Sequence, residues 1–423
     1  MVSATCPALL VSAPASGQGK TLCSAALARA WRNKGHKVQA FKCGPDFLDP
    51  MILQAATGRP VYNLDLGMCG ADDGARLLFN AALDADVILV EGVMGLYDGQ
   101  PSSADLAIHF GLRVMLTIDA SAMAQTFGAL ASGLLAYNPA LKPAGVIANQ
   151  IGSPGHADFL RGSLPSHLEW FGALAKDDAY VLPERHLGLH LASEIDDLEA
   201  RIEAAAQALA STSDLALPPK VTFHAPAAST TPQLLAGKTI AVARDEAFCF
   251  IYPANLDCLQ ALGASLVFFS PLHDADLPET DAIWLPGGYP ELHTALIANN
   301  ASMRQALHAA FAQGVPMLAE CGGMMALSES VNDTEAFGLL PGNSHLEPRL
   351  QGIGTQHIAL ETGRISAHTF HHGVFTTSLT PLKMAEAPFG KPEVLYQHGS
   401  LHASFLHFYF ASNPLLAASF FLP

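Results

Sequence analysis

Residues 16–21, Ser16-Gly17-Gln18-Gly19-Lys20-Thr21, combine glycines, a lysine and a hydroxyl in an order that suits phosphate. An apolar run precedes them and a helical pattern follows, so loop and helix N–H groups can cradle an anion. In that setting Lys20 neutralises β- and γ-phosphates and Thr21 offers its hydroxyl to Mg²⁺. The strict G-x-x-x-x-G-K-[ST] spacing asks for glycine at position 14, where this chain has Pro14, so the loop is a variant.

Magnesium and phosphoryl chemistry need oxygen ligands close by, best placed at the ends of neighbouring strands. Phe41-Lys42-Cys43-Gly44-Pro45-Asp46-Phe47-Leu48-Asp49-Pro50 offers Asp46 and Asp49; Val90-Glu91-Gly92-Val93-Met94-Gly95-Leu96-Tyr97-Asp98-Gly99 offers Glu91 and Asp98. Any one of these suits an ordinary cap or turn. Four at successive strand ends point to metal or substrate.

A second chemistry is written in the other half. Val315-Pro316-Met317-Leu318-Ala319-Glu320-Cys321-Gly322-Gly323 reads as an apolar strand, a cysteine at a sharp turn and a helix start. That is the layout of a nucleophile elbow, in which the N–H after the nucleophile helps form an oxyanion hole. Gly322 supplies that donor, and Gly287 and Gly288, after the strand ending at Leu285, are natural partners. A thiol is mostly protonated at neutral pH and needs a base. His398, His402 and His407 are the candidates. The other cysteines considered (Cys6, Cys23, Cys43, Cys249, Cys258) read as small buried hydrophobes.

The elements that must position these residues follow from pattern. Apolar runs at 8–12, 38–42, 87–90, 114–118 and 145–148 alternate with helical stretches such as 21–33, predicting a doubly wound, mostly parallel α/β sheet. The uncharged stretch 120–138 contains Gln125 and is rich in Ala, Gly and Ser, so it reads as a buried helix rather than a bilayer span. After a helix near 195–210, residues 215–236 hold several prolines and hydroxyl residues and read as a linker. A second α/β pattern restarts with strands at 239–243, 266–269, 282–285 and 315–319 and a helix at 253–262. The expected division is 1–214, a linker at 215–236, and 237–423.

Composition narrows the field. The chain has 423 residues, enough for two or three cores. Its 22 basic against 38 acidic residues give a net charge of −16, which argues against nucleic acid as a partner. Half the residues are hydrophobic, far from a disordered composition. No signal-like or membrane-spanning segment is read, which leads to an expectation of a cytoplasmic protein with no membrane partner. Seven scattered cysteines without a C-x-x-C pair fit neither a disulfide scaffold nor a zinc ribbon.

Together these segments resemble the cobyrinic acid a,c-diamide synthase family over nearly the whole chain. The first half is similar to dethiobiotin synthetase-like ATP-dependent ligases in the 16–21 loop and in the segments around Asp46 and Glu91. The second half resembles the cobyrinate-type branch of class I glutamine amidotransferases in Ala243-Arg244-Asp245-Glu246-Ala247-Phe248-Cys249-Phe250, Leu285-Pro286-Gly287-Gly288-Tyr289-Pro290-Glu291-Leu292, Glu320-Cys321-Gly322-Gly323 and Ala403-Ser404-Phe405-Leu406-His407.

The resemblance implies an amide ligase domain and a P-loop-containing α/β fold at 1–214, and a glutaminase domain at 237–423. It implies that Cys321 attacks the glutamine amide with His407 as base. A triad acid two residues beyond that histidine is replaced by Tyr409, so a Cys–His dyad is expected. The family has its own version of the phosphate loop, which accommodates Pro14. Asp46, Asp49, Glu91 and Asp98 match acidic positions for Mg²⁺ or substrate, Asn149 is a candidate adenine contact, and Arg185 and His186 are candidate substrate contacts. Implied co-substrates are ATP and glutamine, with a corrinoid polycarboxylate as acceptor and an internal route for ammonia. Oligomeric state stays open, a homodimer being one option. Competing readings are the same chemistry on a nickel tetrapyrrole, and a partitioning-type regulatory ATPase carrying a degenerate glutaminase scaffold.

Overall fold

A computed structural model describes residues 2–185, 188–189, 191–227 and 231–423. The chain forms two compact units, divided between 228 and 229.

In the first unit, strands β1 (Ser3–Ser12), β2 (Val38–Cys43), β3 (Tyr62–Leu64), β4 (Val87–Glu91), β5 (Arg113–Asp119), β6 (Lys142–Ile151) and β7 (Glu169–Ala175) form a sheet in the order β3-β2-β4-β1-β5-β6-β7. All these pairings are parallel. Helices α1 (Lys20–Asn33), α2 (Leu48–Thr57), α3 (Ala71–Asp84), α4 (Ser103–Phe110), α5 (Thr126–Ala136), α6 (Pro154–Gly162) and α7 (Leu198–Ala210) cover it. A short hairpin of β8 (Glu184–Arg185) and β9 (Gly188–Leu189) precedes α7.

Side-chain alternation splits the core into two layers. Leu10, Ile88, Val90, Val114 and Leu116 pack with Leu77, Ala107, Phe127 and Leu160 from α3 to α6. Leu9, Val11, Leu89, Met115 and Ile147 face the other way, against Trp31, Ile52, Ile202 and Leu209 from α1, α2 and α7. The strands are buried on both faces, so they read as continuous apolar runs.

The expected buried helix at 120–138 is shorter, Thr126–Ala136, and only Phe127, Gly128, Ala131 and Leu135 are buried. It lies on the surface with one stripe inward, and small residues on its outer face explain the missing polarity signal. Within the expected linker, β10 (Lys220–His224) pairs antiparallel with the first half of β1, and Leu215 accepts a hydrogen bond from the Trp31 indole. The prolines flank that strand without entering it.

The second unit contains β11 (Thr239–Ala243), α8 (Pro253–Ala261), β12 (Ser265–Phe269), β13 (Ala282–Leu285), α9 (Thr294–Asn299), α10 (Ala301–Ala312), β14 (Met317–Glu320) and α11 (Gly322–Leu327). After them come β15 (Ser328–Val331), β16 (Thr334–Glu335), β17 (Leu340–Leu346), β18 (Gly352–Leu360), β19 (Gly363–His371), β20 (Gly373–Thr376), β21 (Pro381–Met384), β22 (Val394–His398), β23 (Leu401–Ser404), β24 (His407–Phe408) and α12 (Pro414–Ser419). The main sheet runs β12-β11-β13-β14-β23-β22-β21, parallel from β12 to β23 and antiparallel beyond. Smaller sheets β16-β15-β17-β20 and β18-β19-β24 complete the unit.

Candidate active sites

The 16–21 loop joins β1 to α1, as the sequence predicts. Gly17 and Gly19 sit at φ +76° and +80°, the left-handed region that only glycine enters at little cost. Gly19 also needs its bare Cα for packing, because a Cβ there would lie 2.1 Å from Asn149 Nδ2. Asn149, at the end of β6, donates from Nδ2 to the Gln18 carbonyl at 3.0 Å, and Gln18 Oε1 accepts from the Asp119 amide at 2.9 Å. The loop is thereby tied to the ends of β5 and β6.

Behind the loop lies a buried charge cluster. Lys42 Nζ, 2% exposed, contacts Asp49 Oδ2 at 2.6 Å and Glu91 Oε1 at 2.9 Å. The Thr21 hydroxyl lies 3.0 Å from both Asp49 Oδ1 and Glu91 Oε1. Burial opposes each charge, yet the two carboxylates hold Lys42 above the ordinary lysine range. Burial likewise pushes Asp49 up, but the Lys42 ammonium and several hydrogen bonds outweigh it and leave the carboxyl below its usual value. For Glu91, fully buried, desolvation wins over Lys42 and its affinity for a proton rises. Burial, then the charge on Lys42, pulls the Lys20 ammonium down.

The fit to a divalent cation rests on an orphaned atom: Glu91 Oε2 is buried and lacks a hydrogen-bond partner. A hydroxyl donates one proton, so Thr21 satisfies one carboxylate at a time. Thr21, Asp49 and Glu91 therefore present unmatched oxygen, the donor type that Mg²⁺ prefers. Among the described residues no three His, Cys, Asp or Glu gather as a closed metal cage. An ion held here would take its remaining oxygen ligands from elsewhere than these side chains.

Asp46 and Asp98 border this cluster: the Asp46 carboxyl bonds to that of Asp49 and acts on Lys42, and the Asp98 charge acts on Lys20. Asp46 accepts from the Leu48 and Asp49 amides at 3.3 and 2.9 Å, which starts α2. Burial and the neighbouring Asp49 charge push its carboxyl up to about 7. Asp98 accepts from the Gly95 amide at 2.9 Å and shapes the turn after β4.

In the second unit, Cys321 connects β14 to α11 at φ +46°, ψ −109°. A side chain other than glycine is strained there, as a nucleophile elbow requires. The flanking glycines permit the close approach: a Cβ on Gly322 would lie 2.7 Å from the Gly288 carbonyl oxygen, and one on Gly323 2.2 Å from that of Leu285. A Cβ on Gly287 would meet His407 Cε1 at 2.3 Å and Cys321 Cβ at 3.3 Å. Cys321, His407 and the Gly287 backbone therefore share one small space.

Burial pushes the Cys321 thiol up, with the Glu291 charge adding, while hydrogen bonding from the Gly322 backbone favours the thiolate. Burial, aided by His368 and His371, pulls His407 down to about 3. The resting pair is thiol and neutral imidazole, the protonation states from which a general base could act on a thiol.

Residues 9–189 match the CobQ/CobB/MinD/ParA nucleotide binding domain, and residues 239–415 the CobB/CobQ-like glutamine amidotransferase domain. The chain is 53% identical over 430 residues to the hydrogenobyrinate a,c-diamide synthase of Stutzerimonas stutzeri (strain A1501), covering 100% of both chains. It is 50% identical to the protein of the same name from Pseudomonas aeruginosa, covering 100% of this chain and 99% of the relative. Identity to the cobyrinate a,c-diamide synthase of Herminiimonas arsenicoxydans is 46%, over 98% and 96% of the two chains. This chain belongs to the cobyrinate and hydrogenobyrinate a,c-diamide synthase family.

For a family member with two sites, the structure sorts the candidates within each. Of the three late histidines, His398 stacks on Phe311 and His402 packs edge-on against Phe420; only His407 reaches the elbow glycine. Cys249 is half-buried where full burial was expected, while Cys6, Cys23, Cys43 and Cys258 are buried. Arg185 lies in β8, and His186 falls outside the described residues. Two residues escaped the sequence reading. Lys42 carried a signal, an unmatched lysine in the otherwise near-apolar strand Val38–Cys43. The other is Glu320, 1% exposed, whose oxygens accept from the Trp284 indole at 2.9 Å and the Phe408 amide at 2.7 Å. Burial pushes its carboxyl up to about 8. Among the described residues no helix is long and apolar enough to cross a membrane.

Proposed function

We propose that this chain is a glutamine- and ATP-dependent ligase that amidates the a and c acetate carboxylates of hydrogenobyrinic acid in cobalamin biosynthesis. The observation that carries the reading is full-length identity of 53% and 50% to two proteins named for that activity. The nickel-tetrapyrrole and partitioning-ATPase readings gain nothing comparable. Cobyrinic acid is the second reading, favoured by the 46% identical relative named for it.

A carboxylate does not accept ammonia directly, so each one is first phosphorylated: its oxygen attacks the γ-phosphorus of ATP, and ADP leaves. The 16–21 amides and Lys20 hold the phosphates, and Asn149 keeps the loop in shape. Thr21 with Asp49 or Glu91 would hold Mg²⁺, which would supply positive charge for the transferring phosphoryl group. Lys42 holds the two carboxylates in place and balances them. In the second unit Cys321 sulfur attacks the glutamine amide carbon as His407 takes the thiol proton and returns it to the departing ammonia. N–H groups of Gly322 and of Gly287 or Gly288 face the oxyanion. Water then releases glutamate from the thioester, and ammonia displaces phosphate from the acyl phosphate. We read the reaction as cytoplasmic, which is compatible with its use of ATP.

With a chain at −16, anionic substrates gain nothing from the average field, so recognition rests on these local positive groups. Replacing Cys321→Ala tests the division of labour: glutamine-dependent amidation is lost and ammonia-dependent amidation persists. Loss of both overturns it. Initial rates with hydrogenobyrinic against cobyrinic acid, read as ADP formation, decide the acceptor.

A further inference from the structure

Glu320 precedes the nucleophile, yet its side chain leaves β14 on the opposite face. Strand alternation puts Met317, Ala319 and Cys321 in one core layer and Leu318 in the other, beside Trp284 of β13. Glu320 follows Leu318. Its carboxyl accepts two N–H bonds, from the Trp284 indole and from the Phe408 main chain, and among the described residues no cation pairs with it. Burying a carboxyl without a counter-ion is costly, and an apolar residue would satisfy a simple packing need.

The two donors are placed tellingly. Trp284 lies on β13, which runs through Leu285 into Pro286 and Gly287, the segment in contact with both Cys321 and His407. Phe408 follows His407 directly. Strand β24 is only two residues long, paired with β19 at Ala367 and His368, with one further main-chain bond from the Tyr409 amide to the Ser366 carbonyl at 2.8 Å. Side chains supply what the ladder does not: Asn255 Nδ2 donates to the Phe408 carbonyl at 2.7 Å, and Asn255 Oδ1 accepts from the Phe410 amide at 2.8 Å. Position 409, where an acid could orient the imidazole, is a tyrosine packed edge-on against Tyr252.

We infer that Glu320 is the positioning acid of the glutaminase: by clamping the Phe408 amide and the Trp284 indole, it holds His407 and the Gly287 segment in register with Cys321. It acts through the backbone, touching neither glutamine nor the reacting atoms. The inference rests on the proposed roles of Cys321 and His407.

The test uses the full-length enzyme. In Glu320→Gln one carboxyl oxygen becomes an amide that meets an N–H donor head-on. Glutamine hydrolysis is expected to lose about tenfold or more in kcat with little change in KM, and alkylation of Cys321 by iodoacetamide to slow in parallel. Ammonia-dependent amidation stays at the parent rate. Adding Trp284→Phe removes the donor that the new amide opposes, so the double variant regains most of the lost kcat. Parent-like glutaminase in Glu320→Gln, or loss of both reactions together, overturns the inference. So does a double variant no better than the single one. Cys321→Ala runs alongside: if it keeps glutamine-dependent turnover, the assignment of the nucleophile fails; if it is inactive while Glu320→Gln is not, only the role of Glu320 fails.

Discussion

Gly287 and His407 touch: the position of a Cβ on Gly287 is 2.3 Å from the imidazole Cε1, far inside van der Waals contact. The glycine is there because the ring is. Substituting Gly287→Ala forces the ring or the loop to move, an overpacking that costs about 1–3 kcal/mol. A displacement near 1 Å at a reacting group lowers rate about 100-fold. Glutamate release should fall by that order while ammonia-dependent ADP formation is preserved. A Gly287→Ala enzyme hydrolysing glutamine at the parent rate would remove His407 from the dyad.

Lys42 is held between Asp49 and Glu91 with almost no exposure. Removing one partner of a buried ionic group leaves uncompensated charge, worth about 3–5 kcal/mol. Lys42→Met is expected to lower the thermal midpoint of the first unit and to abolish ATP-dependent amidation with either nitrogen donor. ADP formation with saturating ammonia is the measurement, and a near-normal rate would show that Lys42 is only a counter-ion.

Both glycine loops were legible in the sequence because their geometry is local. Left-handed φ at Gly17 and Gly19 and the bare approach of Gly322 and Gly323 must be encoded as glycine where they occur. The strands at 87–90 and 282–285 were legible because burial on both faces leaves no polar residue to break the run, and 38–42 was legible although Gln39 and Lys42 interrupt it. What was not legible is pairing across distance. Lys42 meets Glu91 across paired strands, and Glu320 meets Phe408 across two different sheets, each from segments far apart in sequence. His398, His402 and His407 differ only in which face their strands present, a matter of register. Asp46 and Asp98 look alike in sequence to Asp49, yet they bind main-chain amides that a motif does not reveal.

The depressed histidines of the second unit should cost it stability in acid. His407 lies at about 3 and His368, lowered by burial alone, at about 4. An unfolded imidazole titrates near 6.5. For these histidines the folded value is depressed, so below about 6.5 the unfolded chain binds protons that the folded one refuses. Their contribution to stability is whole above about 6.5 and shrinks as pH falls toward the folded values, by up to about 1.4 kcal/mol per pH unit for each. Glu320 in the same unit, held up to about 8, and Asp46 in the first, held up to about 7, work in the opposite sense, each buried carboxyl favouring the folded state less as pH rises from about 4. Hydrogen exchange in peptides spanning 401–410 reads the second unit alone. Between pH 7.5 and pH 5, roughly the span over which unfolded imidazole takes up its proton, the loss from the histidines and the gain from Glu320 oppose each other in the parent. Against the parent, His407→Gln, which removes one of the two depressed rings, should keep more of its protection on going from pH 7.5 to pH 5. Equal slopes in the two proteins would mean that His407 does not stay neutral in the folded state, and that the base meets glutamine already protonated.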